Sequence, residues 1–528
     1  MKVLVAEKLA DTGLKILKDA GHEVDVKMGM SPEELIATIP DYEALIIRSA
    51  TKATREVIEA GHKLKIIGRA GVGVDNVDVE AATERGVIVC NAPTSNIVSA
   101  AEQTMTMLLA TARRTAAADA SMKAHKWDRG KFTGNELYKK TLAIFGLGRI
   151  GGLIAARAKS FEMNLIGYDP YCPPERAEQI GVKLYDNMDD IFPLADFITV
   201  HMPKTKETTN MFSTEQFAKM KDGVYVVNVA RGGIYDLEAL AEAIKSGKVA
   251  GCGIDVWENE PVEDSPLHSL EQATLTPHLG ASTVEAQARA GEQIAEYVNL
   301  GLAGKMVPTA LNVTLVPEDV MSAVAPFVDA CETAGQMLAQ VTSGAISAVE
   351  LNVGGDLAKN DVDLLATSVL RGVFSVSNDD PVNLVNASYI AEQRGISVSV
   401  NTDPARYDYT SVVQAVGITD KEKVEVSCTV SGSGSARIVS VRGYRVDFVP
   451  GKNVLVMVYA DEPGKLGKIG TVLGDAGINI STMNLGVKED SGEALVLMNV
   501  DKEIPDDVYE DLANKVAANQ GWRIELSI

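Results

Sequence analysis

Gly146, Gly148 and Gly151 close the run Thr141-Leu-Ala-Ile-Phe-Gly-Leu-Gly-Arg-Ile-Gly151, and Asp169 ends the next apolar run, Leu165-Ile-Gly-Tyr-Asp169. Residues of these types at this spacing can cradle a dinucleotide. Gly146 permits a tight turn after a strand, Gly148 lets the backbone approach a pyrophosphate, and Gly151 lets the next helix lie close to its strand. The helix then opens at Arg149 and Ile150, where free backbone amides face the phosphates. Asp169 can accept hydrogen bonds from ribose hydroxyls and would repel a 2′-phosphate, so NAD is favoured over NADP.

Positioning that cradle requires strands that alternate with helices. Up to about residue 98, strands are expected at Val3–Ala6, Glu23–Lys27, Ala44–Arg48, Leu64–Gly68 and Val87–Asn91, with amphipathic helices between them. Ser31-Pro-Glu-Glu34 supplies an N-cap, a proline at the first helical position and acids in the first turn. One long helix, Ser99–Lys126, then leads to the glycine turn and a second series with strands at Phe197–His201, Val224–Val229, Gly251–Val256 and Ala273–Thr276. A helix over Thr283–Leu300 follows. Two doubly wound parallel-sheet units of this kind leave a cleft between them. Beyond residue 306 short alternating runs broken by turns read as an α+β domain. From about 453 the order strand, helix, strand, strand, helix, strand is ferredoxin-like and reads as a separate domain.

Composition bounds the function. A chain of 528 residues suggests roughly three or four domains. A net charge of −22 argues against nucleic acid or an anionic membrane as a partner, and it means that a site for an anionic substrate must be locally basic. No targeting segment or membrane span is expected, and the five scattered cysteines read as reduced core thiols of a cytoplasmic protein, with no metal site.

Six segments, in order, carry a family resemblance: Gly68-Arg-Ala-Gly-Val-Gly-Val-Asp-Asn-Val-Asp78, Asn91-Ala-Pro-Thr-Ser-Asn96, Gly146-Leu-Gly-Arg-Ile-Gly151, Val226-Val-Asn-Val-Ala-Arg-Gly-Gly233, Asp255-Val-Trp-Glu-Asn-Glu-Pro261 and Pro277-His-Leu-Gly-Ala-Ser282. The chain resembles the D-2-hydroxyacid dehydrogenases, in a long form with an intervening domain and a C-terminal ACT domain. The resemblance implies a flavodoxin-like substrate domain (1–98 plus 283–305), an inserted NAD-binding Rossmann domain (99–282), an intervening α+β regulatory domain (306–451) and an ACT domain (452–528). It implies NAD-dependent oxidation of 3-phospho-D-glycerate to 3-phosphohydroxypyruvate, the opening step of L-serine biosynthesis. Two other readings stay open: another dehydrogenase of the family, such as a glyoxylate/hydroxypyruvate reductase, or a non-catalytic NAD-sensing protein on the same fold.

Oxidising a secondary alcohol needs a base for the hydroxyl proton, a hydride acceptor, and positive charge for the carboxylate. His278 has the side chain for the first task, with Glu260 on its other ring nitrogen. Arg231, before a Gly-Gly pair, can grip a carboxylate bidentately. By resemblance, the cofactor contacts extend to Val229, Ala230, Arg231, Asp255 at the carboxamide end, and the backbone of His278, Leu279, Gly280 and Ala281. Arg48 and Arg69, each ending a strand, are placed at the substrate with Ser49, and Lys131 resembles a loop that reaches the site of a neighbouring subunit. That carry-over implies a homo-oligomer, dimer or tetramer. Tyr459, Asp461 and Asn479 match the ACT pattern for a small amino-acid effector, which the resemblance makes L-serine. For 306–451 it implies an anion-responsive module, with Arg442 and Arg445 as contacts.

Overall fold

The computed structural model describes residues 1–527 except 315, 379–380, 406–408, 433 and 489–490. Strands β1 (Lys2–Val5), β2 (Glu23–Val26), β3 (Ala44–Ile47), β4 (Ile66–Arg69) and β5 (Ile88–Asn91) form a parallel sheet in the order β2-β1-β3-β4-β5. That is the flavodoxin-like order. β3 is buried along its whole length, as a strand covered by helices on both faces must be.

The second sheet contains β6 (Thr141–Phe145), β7 (Asn164–Tyr168), β8 (Lys183–Leu184), β9 (Phe197–Val200), β10 (Val224–Asn228), β11 (Val249–Ile254) and β12 (Ala273–Leu275). All neighbours are parallel, in the order β12-β11-β10-β9-β6-β7-β8. The order reverses between β6 and β9, so the glycine turn after β6 opens at the switch point where such sheets bind ligands.

The expected single helix over 99–126 is two helices, Ile97–Ala112 and Thr115–Lys123. They break at Arg114, whose φ of 53° lies in the left-handed region. Long-range contacts hold that break: the Arg114 guanidinium donates to the Lys131 carbonyl, lies over the Phe132 ring and faces Glu271. A local reading of alanine-rich sequence has no access to them.

Helix Val284–Leu302 returns to the first sheet, where Ala290, Ile294, Ala295, Val298 and Leu302 share a core with Val3, Ala44, Ile66 and Cys90. Residues 307–312 stay there too. Val307 and Ala310 belong to that core, Leu311 donates to the Val89 carbonyl, and Asn312 bonds Val87, Val89 and Thr83. The third unit therefore starts beyond the expected 306, with a 24-residue helix, Glu318–Val341, that the sequence reading did not place.

That helix crosses Asp363–Ser375 at very close range. A Cβ on Gly335 would lie 2.2 Å from the Val369 carbonyl oxygen, and one on Gly372 2.1 Å from that of Glu332. Strands β13 (Ala348–Gly355), β14 (Ser397–Asp403), β15 (Ser411–Ile418), β16 (Lys423–Val430), β17 (Ala436–Val441) and β18 (Tyr444–Phe448) make its sheet, ordered β14-β13-β15-β16-β17-β18. The last sheet, β20-β21-β19-β22, joins β19 (Asn453–Ala460), β20 (Ile480–Lys488), β21 (Glu493–Val500) and β22 (Ala518–Glu525), all antiparallel.

Alternation along β19 sends Leu455, Met457 and Tyr459 toward the two helices of the last unit. Val454, Val456 and Val458 enter one apolar core with Val324, Leu338 and Val426 of the third. The fourth unit is not physically separate: the two share a core.

Candidate active site

The dinucleotide cradle has the geometry its glycines demand. Gly146 turns the chain at φ 93°, and a Cβ on Gly151 would stand 2.1 Å from the Gly146 carbonyl oxygen. Only glycines allow this turn–helix contact. Nothing lies within 4 Å of a Cβ built on Gly148, so the approach to the helix Arg149–Ser160 is open. Asp169 follows β7, accepting from the amides of Leu147 (2.8 Å) and Tyr171 (2.9 Å). Its carboxylate thus sits on the glycine turn, where a ribose would lie. These features fit NAD.

His278 leaves β12 with φ 55°, a left-handed conformation that costs a non-glycine residue energy and concentrates at functional sites. Asp255 holds it. The Asp255 carbonyl accepts from His278 N, and its carboxylate accepts from Leu279 N, Gly280 N and the Thr276 hydroxyl, with Gln103 Nε2 at 3.4 Å. Asp255 has no exposed surface. Both its oxygens hold the turn that carries His278, at the strand end where the carboxamide of the cofactor is expected.

The imidazole itself is half-exposed, with Nδ1 2.7 Å from Glu260 Oε2, while Glu260 Oε1 accepts from Trp257 N. Val229 reaches this turn, its Cγ1 lying 3.3 Å from the Cβ position of Gly280. Ala230 N donates to Asn228 Oδ1, fixing the bend that carries Arg231.

Arg231 then crosses to the first unit, where its Nη2 is 3.0 Å from the Cβ position of Gly73. Arg69, at the end of β4, is pulled below the usual guanidinium range by burial, then by the positive fields of Arg231 and Arg48. Its Nε is buried without a hydrogen-bond partner. Three guanidiniums from two units therefore converge, and among the described residues none of them forms an ion pair. Such a cluster invites an anion. Ser49 is exposed beside Arg48.

Two residues that sequence reasoning missed shape the Arg48 loop. Glu7 accepts from the amides of Arg48 (2.8 Å) and Thr51 (2.9 Å), and Asn76 Nδ2 donates to the carbonyls of both. Their signal was faint: an acid just past the first strand, and an asparagine inside a matched motif.

Other expected residues lie elsewhere. Lys131 pairs with Glu271 at 2.7 Å, just before β12, at the strand end opposite the one from which His278 leaves. Arg442 is spent on Glu422 and the Val341 carbonyl, which corrects its expected role as an anion contact; Arg445 is exposed but not free of partners. Tyr459 is 1% exposed with its ring in the core of the last unit; its hydroxyl has no hydrogen-bond partner, and burial pushes its pKa up to about 12. Asp461 and Asn479 are exposed; the Asn479 N–H donates to the Asp501 carboxylate, and its carbonyl accepts from Asp501 N. Among the described residues no group of acids, histidines and cysteines could hold a metal, and no helix is long and apolar enough to cross a membrane.

A parallel-sheet pair enclosing a histidine–carboxylate pair and an arginine cluster defines an NAD-dependent D-2-hydroxyacid dehydrogenase. Residues 105–280 match the family model described as the NAD-binding domain of D-isomer specific 2-hydroxyacid dehydrogenases. Two solved structures are similar over 59% of this chain: apo D-lactate dehydrogenase of Escherichia coli (TM-score 0.53, 28% identity, all of that chain) and a glyoxylate reductase from Paecilomyes thermophila (TM-score 0.53, 29%, 98%).

Residues 323–442 match the D-3-phosphoglycerate dehydrogenase intervening domain, and 453–516 an ACT domain. The chain is 45% identical to D-3-phosphoglycerate dehydrogenase of Mycobacterium leprae over 99% of both chains, and 43% identical to that of Methanocaldococcus jannaschii over 97% of both. It belongs to the D-3-phosphoglycerate dehydrogenase family.

Proposed function

We propose that this enzyme oxidises 3-phospho-D-glycerate to 3-phosphohydroxypyruvate, opening L-serine biosynthesis. The observation that carries this reading is the convergence of Arg48, Arg69 and Arg231, with a buried guanidinium nitrogen left unpartnered, beside a histidine–glutamate pair. A substrate with a phosphate at one end and a carboxylate at the other answers three cations; an unphosphorylated 2-hydroxy acid leaves the distal ones unmatched.

In this mechanism Arg231 grips the carboxylate and polarises the reacting oxygen. Arg48 and Arg69, with Ser49, hold the phosphate. Glu260 accepts the proton-bearing Nδ1 of His278, which leaves Nε2 free to take the hydroxyl proton. Bound NAD supplies the hydride acceptor, held by Gly146, Gly148, Arg149, Ile150, Gly151, Asp169, Val229, Ala230 and the turn Leu279–Ala281. Closure of the two units over the cleft brings reacting atoms to about 3–3.5 Å.

The division into units 1–98 with 283–312, 99–282 and about 316–451 is supported by their separate cores, and 452–528 is a fourth unit by its own sheet, although it shares a core with the third. Lys131 serves the site of a second copy in a cytoplasmic dimer or tetramer, because it lies at the opposite strand end from its own chain's His278. L-serine is the effector of the last unit, held through Asp461 and Asn479.

NADH absorbance with 3-phosphoglycerate against unphosphorylated D-glycerate tests the substrate. Strong preference for the phosphorylated acid is expected. Equal efficiency would favour a glyoxylate/hydroxypyruvate reductase, and no NADH from any 2-hydroxy acid an NAD-sensing protein. Arg48→Ala should raise KM for 3-phosphoglycerate roughly ten- to a hundredfold with little loss of kcat, because a remote anchor acts in ground and transition states alike.

A further inference from the structure

Trp257 touches all three parts of the candidate catalytic apparatus. It follows β11 in the loop that carries Glu260, and only 6% of its surface is exposed. Its backbone N–H donates to Glu260 Oε1 at 3.0 Å, so the carboxylate that faces His278 through Oε2 is anchored through its other oxygen. Its indole Nε1–H donates to the Thr276 carbonyl at 3.1 Å, two residues before the histidine. Its own carbonyl abuts the arginine loop: a Cβ on Gly232 would lie 1.9 Å from that oxygen, so the residue that follows Arg231 is pressed directly against Trp257.

We propose that Trp257 is a positioning residue that sets Arg231, Glu260 and His278 in mutual register. The inference rests on the catalytic roles proposed above. The physical reason is that the three groups arise from three segments, after β10, after β11 and after β12, and the ends of parallel strands have no ladder of their own to fix them. A tryptophan suits the place because it combines a large buried body with one directional donor. A phenylalanine would fill most of the same volume and offer no donor. The indole hydrogen bond adds a side-chain tie, beside those of Asp255 and of Glu260 itself, between the loop of the carboxylate and the residues leading into the left-handed histidine. Losing it frees His278 to drift relative to Glu260, and small misplacements of reacting groups cost far more in rate than in binding.

Trp257→Phe tests this. Measured with 3-phosphoglycerate and NAD, kcat is expected to fall about ten- to a hundredfold, while both KM values and the NAD dissociation constant by calorimetry stay within about twofold. The primary deuterium isotope effect on kcat, with substrate deuterated at C2, is expected to rise as hydride transfer becomes limiting. An unchanged kcat and isotope effect would overturn the proposal. So would a fall in NAD affinity parallel to that in kcat, which would make Trp257 a packing residue of the cofactor fold. Should Trp257→Phe melt below the assay temperature, Trp257→Tyr, which keeps an aromatic body but lacks a donor at the indole position, is judged by the same outcomes. A wild-type enzyme that yields no NADH would count against the proposed function instead, before any variant is compared.

Discussion

Arg69 occupies a position that no stability argument would choose. Its guanidinium is largely buried, its Nε has no partner, and the fields of Arg231 and Arg48 outweigh those of Asp75 and Glu7. Guanidinium stays charged inside proteins, so the repulsion cannot be relieved by losing a proton. The arrangement makes sense as binding energy held ready for an anion. Arg69→Met should therefore split two properties that usually move together: unfolding free energy without ligand should rise by about 1 kcal/mol, while affinity for 3-phosphoglycerate collapses. Thermal denaturation with and without substrate reads both. A variant that is less stable without ligand would mean that Arg69 is a structural cation.

Among the elements, the crossing of helices Glu318–Val341 and Asp363–Ser375 carries a titrating group. Glu332 faces Arg371 at 3.2 Å, yet burial outweighs that attraction and holds its carboxyl above the usual range. A raised carboxyl means that the folded state binds more protons than the unfolded one, so stability falls as pH climbs from about 4.5 through the raised value. Glu332→Gln should remove that decline, which the difference in urea midpoints between the two proteins at pH 5 and pH 7 will show. A wild-type–variant difference that does not change with pH would exclude it.

At this scale the sequence was most legible where local chemistry decides. The parallel strands, the Ser31 cap and the glycine turn lie where runs and caps placed them, because apolar periodicity and positive φ are local demands. The left-handed break at Arg114, the turn at His278 and the roles of Glu7, Asn76 and Trp257 depend on partners dozens to hundreds of residues away or on geometry at strand ends. The long helix after Pro317 was missed because a proline and small residues blur its apolar face.

Across the whole molecule, the units touch through specific polar contacts as well as apolar ones. Tyr389 of the third donates to Glu84 of the first, whose two oxygens also accept from Arg55, and Asn383 donates to the Gly86 carbonyl. Farther along, Gln336 and Gln340 of the long helix grip the backbone of residues 525 and 527. Val454, Val456, Val458, Leu495, Leu497 and Ile524 lie inside the third unit's core. Scissors applied at residue 451 would therefore strip a greasy wall rather than detach an appendage. Sedimentation after expression should find that shortened polypeptide in the pellet, while one ended at 312, with both parallel sheets whole, stays in the supernatant; a dispersed 1–451 fragment would show that the tail is dispensable to its neighbour.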